Sequence, residues 1–101
     1  MSNEQTAIRE KTRIEVDTPR RFMVIFLNDD FTSMEFVVNV LVTVFHKSAP
    51  DAEQLMLKVH HEGQAVVGVY SFDIARTRTE LTLQMARNAG FPLQVIYRPE
   101  S

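Results

Sequence analysis

The chain has 101 residues, which is enough for one small domain with a modest core. Hydrophobic residues make up 45% of it and charged residues 24%, as in an ordinary globular domain rather than a disordered or fibrous protein. A formal charge of -2 and the lack of a basic stripe argue against nucleic-acid binding. The absence of cysteine excludes disulfides, thiolate nucleophiles and cysteine-based metal sites. No apolar run reaches membrane-spanning length and the N-terminus does not resemble a signal peptide, so we expect a cytoplasmic protein.

The first twenty residues differ from the rest of the chain. They mix charges of both signs with scattered apolar positions and show no sustained period. We interpret residues 1–20 as a flexible N-terminal arm, which ends near Thr18 and Pro19, where proline favours extended chain. A single domain is predicted for residues 21–99.

A turn rich in carboxylates joins the first predicted strand to the first predicted helix. The strand is the apolar run Phe22–Leu27, which ends at turn formers. Thr32 and Glu35 then have the spacing of a capping box, in which a hydroxyl and a carboxylate satisfy backbone donors at a helix start. Asn28 and Asp29 therefore precede a helix N-terminus. Short polar side chains in such a place commonly close the turn by bonding their own backbone, which is the structural alternative to a binding role.

The first predicted helix runs from about residue 33 to residue 47. Its five valines would suit a strand, but Glu35, Asn39 and Thr43 recur every four residues and form one polar stripe. In a strand, Val37 would fall on that same polar face. The spacing therefore predicts a helix that is buried on most of its circumference.

Two more helices and two more strands follow. The second helix begins near Ser48 and stops at Gly63, and Ser71 caps a third helix that Gly90 ends. Strands are predicted for residues 64–70 and 93–98. On the third helix the predicted buried stripe consists of Ile74, Thr77, Leu81 and Met85. The order β-α-α-β-α-β predicts a small α+β domain, with a three-stranded antiparallel sheet and three helices over one of its faces.

Catalysis has weak support in the sequence. Ser33, His60 and Asp29 can be drawn as a nucleophile set, but no strained elbow or oxyanion loop accompanies them. His60 and His61 are adjacent on a helix and point about 100° apart, whereas zinc motifs place helical histidines three or four residues apart. A small metal-dependent or Ser/His/Asp hydrolase that uses Asp29, Asp30 and His60 remains the alternative function.

A binding pocket fits the same residues better. Apolar side chains of the first two helices would enclose a cavity beside an amide, a carboxylate and an imidazole. Methionine suits the wall of such a cavity, because its flexible side chain adapts to ligand side chains of different shape. The alternative is that Met56 and Val59 are plain core residues, as their spacing alone would suggest. The predicted pocket consists of Met34, Val37, Met56, Val59 and His60, with Asn28 and Asp29 at its rim.

Several separated motifs resemble one family. They are Leu27-Asn28-Asp29-Asp30-Phe31-Thr32, Met34-Glu35-Phe36-Val37, Leu55-Met56-Leu57, Val59-His60, Gly63, Gly68-Val69-Tyr70 and Phe91-Pro92-Leu93. In order and spacing they are similar to ClpS, the adaptor of the Clp protease. The resemblance covers about residues 21–99, nearly the whole predicted domain.

The resemblance implies an N-degron receptor. Such an adaptor binds proteins that begin with a bulky hydrophobic residue (Leu, Phe, Tyr or Trp) and delivers them to the ClpA unfoldase of the ClpAP protease. It implies no enzyme activity, no cofactor and no metal. We expect a monomer whose partners are N-degron proteins and the N-terminal domain of ClpA, and whose arm helps to hand over the cargo.

The resemblance also implies roles for single residues. Ser33 departs from the family pattern, which often has proline there. Asn28, Asp29 and His60 would hold the free α-amino group directly or through water, with Asp30 and Thr32 shaping the rim. The hydrophobic pocket would consist of Met34, Val37, Met56, Val59 and Leu93. Asp73 and Arg78 match positions that contact the ClpA N-terminal domain.

Overall fold

A computed structural model describes residues 20–100 of the chain. The predicted flexible arm, residues 1–20, lies outside the described residues except for Arg20. The described elements, in chain order, are strand β1 (Arg21–Leu27), helix α1 (Met34–Thr43), helix α2 (Ala49–Glu62), strand β2 (Gln64–Ser71), helix α3 (Phe72–Ala89) and strand β3 (Gln94–Pro99).

The most apolar strand lies in the middle of the sheet. β1 pairs antiparallel with β2 on one side and with β3 on the other, so the strand order is β2-β1-β3. Val24, Ile25 and Phe26 are all buried in this strand. Val24 and Phe26 belong to the core cluster, whereas Ile25 points to the opposite face of the sheet, where its partners Val66 and Ile96 are exposed. A bulge at Val24 and Ile25 shifts the register with β2. These findings confirm the predicted three-stranded antiparallel sheet and the β-α-α-β-α-β order.

The core lies between the sheet and the helices. Val24 and Phe26 of β1 share one buried cluster with residues from all three helices and from both outer strands. Phe45, just beyond α1, packs edge to face on Phe26, with ring centroids 5.6 Å apart. Leu93 is buried in the same cluster at the approach to β3.

Helix α2 begins and ends where the sequence predicts. The Ser48 hydroxyl accepts a hydrogen bond from the Asp51 backbone N–H, and Pro50 occupies the first turn. Gly63 ends the helix with φ of 89°, a left-handed conformation that favours glycine. The chain then enters β2 directly, which brings the last turn of α2 to the end of β1.

Helix α1 is shorter than predicted and has a different cap. Ser33 is the N-cap, because its hydroxyl accepts from the Phe36 backbone N–H at 3.1 Å. The predicted capping box of Thr32 and Glu35 is therefore wrong; the Thr32 hydroxyl bonds elsewhere. The helix ends at Thr43, not near residue 47, and His46 beyond it has a positive φ of 59°.

Helix α3 has the predicted bounds but buries a different face. Ser71 and Gly90 cap it, as predicted. The predicted stripe is wrong at three of its four positions: Thr77 is exposed, Ile74 is 42% exposed and Leu81 is 48% exposed, whereas Met85 is half-buried and packs against the core. The buried face lies about 120° further around the helix at 100° per residue. The side chains on that face are small, so the helix can lie close to the sheet. The larger side chains of the sheet fill the space between the helix and the sheet. The buried residues are Ala75, Thr79, Thr82 and Ala86.

Candidate functional site

A small cavity opens where the end of β1, the start of α1 and the end of α2 meet. Its volume is about 210 Å³, below the roughly 300 to 1,000 Å³ of sites for drug-sized ligands, so it suits one side chain. Nine of the ten residues predicted for the rim and the pocket line it. They are Asn28, Asp29, Asp30, Thr32, Met34, Val37, Met56, Val59 and His60.

The end of α2 is held against the end of β1 by one backbone bond. The Asn28 N–H donates to the Gly63 carbonyl oxygen at 2.9 Å. Because Gly63 caps α2, this bond places the last helical turn, and with it His60, beside the loop that follows β1. His61 does not line the cavity, as its different direction on the helix predicts.

The loop between β1 and α1 is closed by Asp29. One carboxylate oxygen accepts from the backbone N–H groups of Phe31, at 2.8 Å, and Thr32, at 2.7 Å. The other accepts from the Thr32 hydroxyl at 2.7 Å. Asp29 thus closes the turn, which is the structural alternative to a binding role that the sequence leaves open. The three hydrogen bonds occupy three of about four acceptor positions on its carboxylate. One position remains for a ligand.

These bonds set the charge state of Asp29. Burial of the carboxylate raises its pKa, but the hydrogen bonds from the Thr32 hydroxyl and from the two backbone N–H groups outweigh that effect. The pKa of Asp29 therefore lies below its usual value, and the side chain is an anion at neutral pH.

The other polar side chains at the rim are available to a ligand. Asn28, Asp30 and His60 are exposed, and within residues 20–100 their side chains form no hydrogen bond. An amide oxygen, a carboxylate and a neutral imidazole can each accept a hydrogen bond. Among residues 20–100, no lysine or arginine lines the cavity. The rim is thus suited to a ligand that brings donors and positive charge.

The floor of the cavity is apolar. Val37 and Val59 are buried, with 7% and 4% exposure, and Met56 is half-buried. Met34 is 47% exposed and stands at the mouth. Leu93, the tenth predicted residue, does not line this cavity; it is 5% exposed in the core. The floor can therefore bury one large apolar side chain.

The same geometry gives little support to catalysis or metal binding. The Ser33 hydroxyl caps α1 and does not line the cavity. Among residues 20–100, no three carboxylate or histidine side chains are grouped so that they could hold a metal ion. A separate depression of about 720 Å³ between Lys47 and Val67 contains none of the predicted site residues.

The predicted partner residues lie elsewhere, on α3. Asp73 is exposed in its first turn. The guanidinium of Arg78 lies over the Tyr70 ring, 5.2 Å from the centroid. Neither residue lines the cavity.

The sequence reasoning missed a second groove beside the cavity, with a volume of about 420 Å³. A signal for it was present, because Met34, Val38 and Val42 recur every four residues along one face of α1.

The part of the chain from residue 20 to residue 100 contains no helix long and apolar enough to cross a membrane.

Comparisons with known proteins agree on one family. The model of the family "ATP-dependent Clp protease adaptor protein ClpS" matches residues 17–96. The Clp protease adapter protein ClpS of Acetivibrio thermocellus is 47% identical over 98 residues, which are 97% of this chain and 99% of that protein. Its counterpart in Treponema denticola is 55% identical over 76 residues, 75% of each chain.

A solved structure is similar over the same region. It is that of Agrobacterium tumefaciens ClpS2 bound to L-phenylalaninamide, with a TM-score of 0.80 and 40% sequence identity. The match covers 82% of this chain and all of the other.

Proposed function

The chain belongs to the ClpS family of Clp protease adaptor proteins, and from that premise we propose that it is an N-degron receptor. The family description and the relatives' names confirm an adaptor, not an enzyme, so the hydrolase alternative built on Asp29, Asp30 and His60 is set aside. In our proposal it binds proteins that begin with Leu, Phe, Tyr or Trp and delivers them to ClpA, acting in the cytoplasm as a monomer. The observation that carries this proposal is the cavity, which combines an apolar floor with a rim of acceptors.

The rim matches a free α-amino group. An N-terminal ammonium is cationic or nearly so at neutral pH and carries three donors. Asn28, Asp30 and His60 offer unused acceptors, and Asp29 offers one more together with its negative charge. We infer that Asp29 acts first by fixing the loop and second by its charge. The sequence-based expectation has Asp29 hold the amino group directly or through water and Asp30 shape the rim; the proposal gives Asp30 an acceptor role as well.

The floor matches a bulky first side chain. Val37, Val59 and Met56 supply apolar contacts, and Met34 at the mouth can move to admit guests of different shape. The similar Agrobacterium protein was solved with L-phenylalaninamide. That molecule has a free amine, an aromatic side chain and an amide where a peptide would continue. It therefore has the chemistry of the first residue of a protein, which supports the same use of the cavity here.

Both halves of the site are needed for useful affinity. Burying a large apolar side chain contributes roughly 1.5–3 kcal/mol, and a hydrogen bond to a charged group about as much. Micromolar binding needs about 8 kcal/mol. Neither contribution reaches that value alone, so a protein is selected only if its first residue is both bulky and free at its α-amino group.

The face of α3 that the sequence expected to be buried is our proposed surface for ClpA. Ile74 and Leu81 are exposed there, and on a helical projection Asp73 and Arg78 flank them on either side. An apolar centre with charged margins is typical of a protein interface. The stacking of Arg78 on Tyr70 restrains the guanidinium before it binds, which lowers the entropy lost on association.

The test compares peptides that differ only at the α-amino group. A fluorescent peptide that begins with Phe should bind, and its N-acetylated copy should bind at least about a hundredfold more weakly, because acetylation removes the charge and two donors. His60→Lys should also abolish binding, since a permanent cation would repel the ammonium, whereas His61→Lys is the matched control and should bind normally. Equal anisotropy curves for the free and acetylated peptides would overturn the proposal.

A further inference from the structure

A second apolar groove lies beside the candidate site, on the other side of two methionines. It runs between α1 and α2 and has a volume of about 420 Å³. Met34 and Met56 line both this groove and the cavity, so these two side chains are the wall between the two spaces. The first residue of a bound protein would not contact the groove. A bound chain that leaves the cavity across the two methionines would pass over the groove.

The groove has an apolar floor and acidic margins. Val38 and Val42, both half-buried, extend the floor that Met34 and Met56 begin. The exposed carboxylates of Glu35 and Glu53 stand on the α1 and α2 sides.

Nothing in the described part of the chain neutralises these carboxylates. The two ion pairs found between residues 20 and 100, Arg21 with Glu100 and Arg76 with Glu80, involve neither Glu35 nor Glu53. The carboxylate of Glu35 is also not used at the helix cap, which Ser33 forms without it. The groove therefore offers two negative charges beside an apolar surface.

The shape of an extended peptide determines which residue can reach the groove. Successive side chains of an extended chain point to opposite sides, so the first and third point the same way. They lie about 7 Å apart along the chain at roughly 3.3–3.6 Å per residue. In an extended chain that leaves the cavity across the methionine wall, the first side chain lies in the cavity, the second faces solvent and the third faces the groove.

Resting on the proposed function, we propose that this groove is a subsite for the third residue of the bound protein and that it selects lysine or arginine there. The aliphatic stem of such a side chain packs along Met34, Val38 and Val42, as long cationic side chains do on apolar surfaces. Its charged end lies between Glu35 and Glu53. A glutamate in the same place brings a third negative charge and is disfavoured.

The experiment measures peptide affinity with the intact protein. Peptides Phe-Ala-X carry Arg, Met, Ala or Glu at position three, and a further peptide carries Arg at position two with Ala at position three. We expect the peptide with Arg at position three to bind about fivefold more tightly than the peptide with Ala, and the peptide with Met to have an intermediate affinity. The peptide with Glu should bind about threefold more weakly than the peptide with Ala. These changes are small because the charges are exposed and the stem of the side chain is only partly buried. Arg at position two should bind like Ala.

Matched variants separate the groove from general charge attraction. Glu35→Gln with Glu53→Gln should remove most of the advantage of Arg at position three. Glu62→Gln with Glu80→Gln changes the net charge equally but lies outside the groove, and should preserve the advantage. Equal benefit from Arg at positions two and three, or equal loss in both double variants, would overturn the subsite. If instead all four side chains at position three bind equally while acetylation still abolishes binding, the subsite is wrong and the receptor function stands.

Discussion

Asp29 closes the loop, and in the proposed receptor the same side chain also serves the ligand. Its three hydrogen bonds to Phe31 and Thr32 fix the loop on which Asn28 and Asp30 stand. The remaining acceptor position and the negative charge are what it offers to an ammonium. The acceptors at the rim are therefore preorganised by a residue of the rim itself, which reduces the ordering that binding must supply.

This role predicts a stability effect that depends on pH. Asp29→Ala removes the hydrogen bonds to the loop and should lower the free energy of unfolding by about 1 kcal/mol at pH 7. Because the pKa of Asp29 is lowered in the folded state, its contribution is present above the unfolded value of about 3.9 and is lost as the pH falls through the folded value. The difference between wild type and variant should thus shrink between pH 5 and pH 2 in urea titrations.

Asp30→Ala is the matched control, since this neighbouring carboxylate forms no hydrogen bond within residues 20–100 and its removal should leave the stability unchanged. A difference between wild type and Asp29→Ala that stays constant down to pH 2 would contradict the charge-assisted closure of the loop.

Most of the candidate site was accessible from the sequence, and the exceptions have local causes. Nine of the ten predicted residues line the cavity because the motifs fix both the loop after β1 and the helix face that meets it. The sequence predicts Thr32 as the cap of α1, but the cap is Ser33; the two residues are adjacent and both carry a hydroxyl, so spacing alone does not distinguish them. The sequence predicts the hydrogen bonds by which Asp29 closes the loop only as the alternative to a binding role, because spacing alone does not determine which acceptor a backbone N–H bonds.

At the level of secondary structure elements, helix ends were predicted better than helix faces. The caps of α2 and α3 follow from serine and glycine at fixed positions, whose effect is local. The buried face of α3 depends on how closely the helix approaches the sheet, which is a tertiary property. A pattern search favours large apolar residues, and here the interface consists of alanine and threonine.

The buried threonines of α3 carry a prediction. Thr82 is fully buried and its hydroxyl has no hydrogen-bond partner among the described residues. Thr82→Val replaces that hydroxyl by a methyl group of similar size and should raise the free energy of unfolding by about 1 kcal/mol, since an unsatisfied buried polar group costs about 1–3 kcal/mol. Chemical denaturation at pH 7 measures the change.

Thr77→Val on the same helix is the control. Thr77 is exposed, so its substitution should change the stability by less than about 0.5 kcal/mol. A loss of stability in Thr82→Val, with Thr77→Val neutral, would show that the buried hydroxyl has a partner after all, such as a backbone carbonyl of the preceding turn.

At the scale of the whole molecule, the fold separates two surfaces. The cavity belongs to the end of β1 and to α1 and α2, whereas the proposed ClpA surface belongs to α3. The proposed function requires the domain to hold its cargo and ClpA at the same time, and therefore requires two surfaces that do not overlap. The element order and the sheet were predictable because each element has its own pattern, but the separation follows only from the way in which the helices pack.

This separation predicts variants that lose one partner and keep the other. Leu81→Ser removes part of the apolar centre of the proposed α3 surface. Arg78→Glu reverses the charge at one of its margins. Each should weaken binding to the ClpA N-terminal domain by about tenfold or more, as truncation of a central interface residue commonly does. Arg87→Glu, an exposed charge reversal on another side of α3, should bind ClpA normally.

The affinity of all three variants for a Phe peptide should equal that of the wild type, because α3 does not contribute to the cavity. Calorimetry with each partner separately measures both affinities. A variant that weakens both partners together would indicate coupling between the surfaces or a partly unfolded domain, and a thermal melt distinguishes these two. Normal ClpA binding by both Leu81→Ser and Arg78→Glu would place the ClpA surface elsewhere on the domain, and the exposed apolar residues of α3 would then need another explanation.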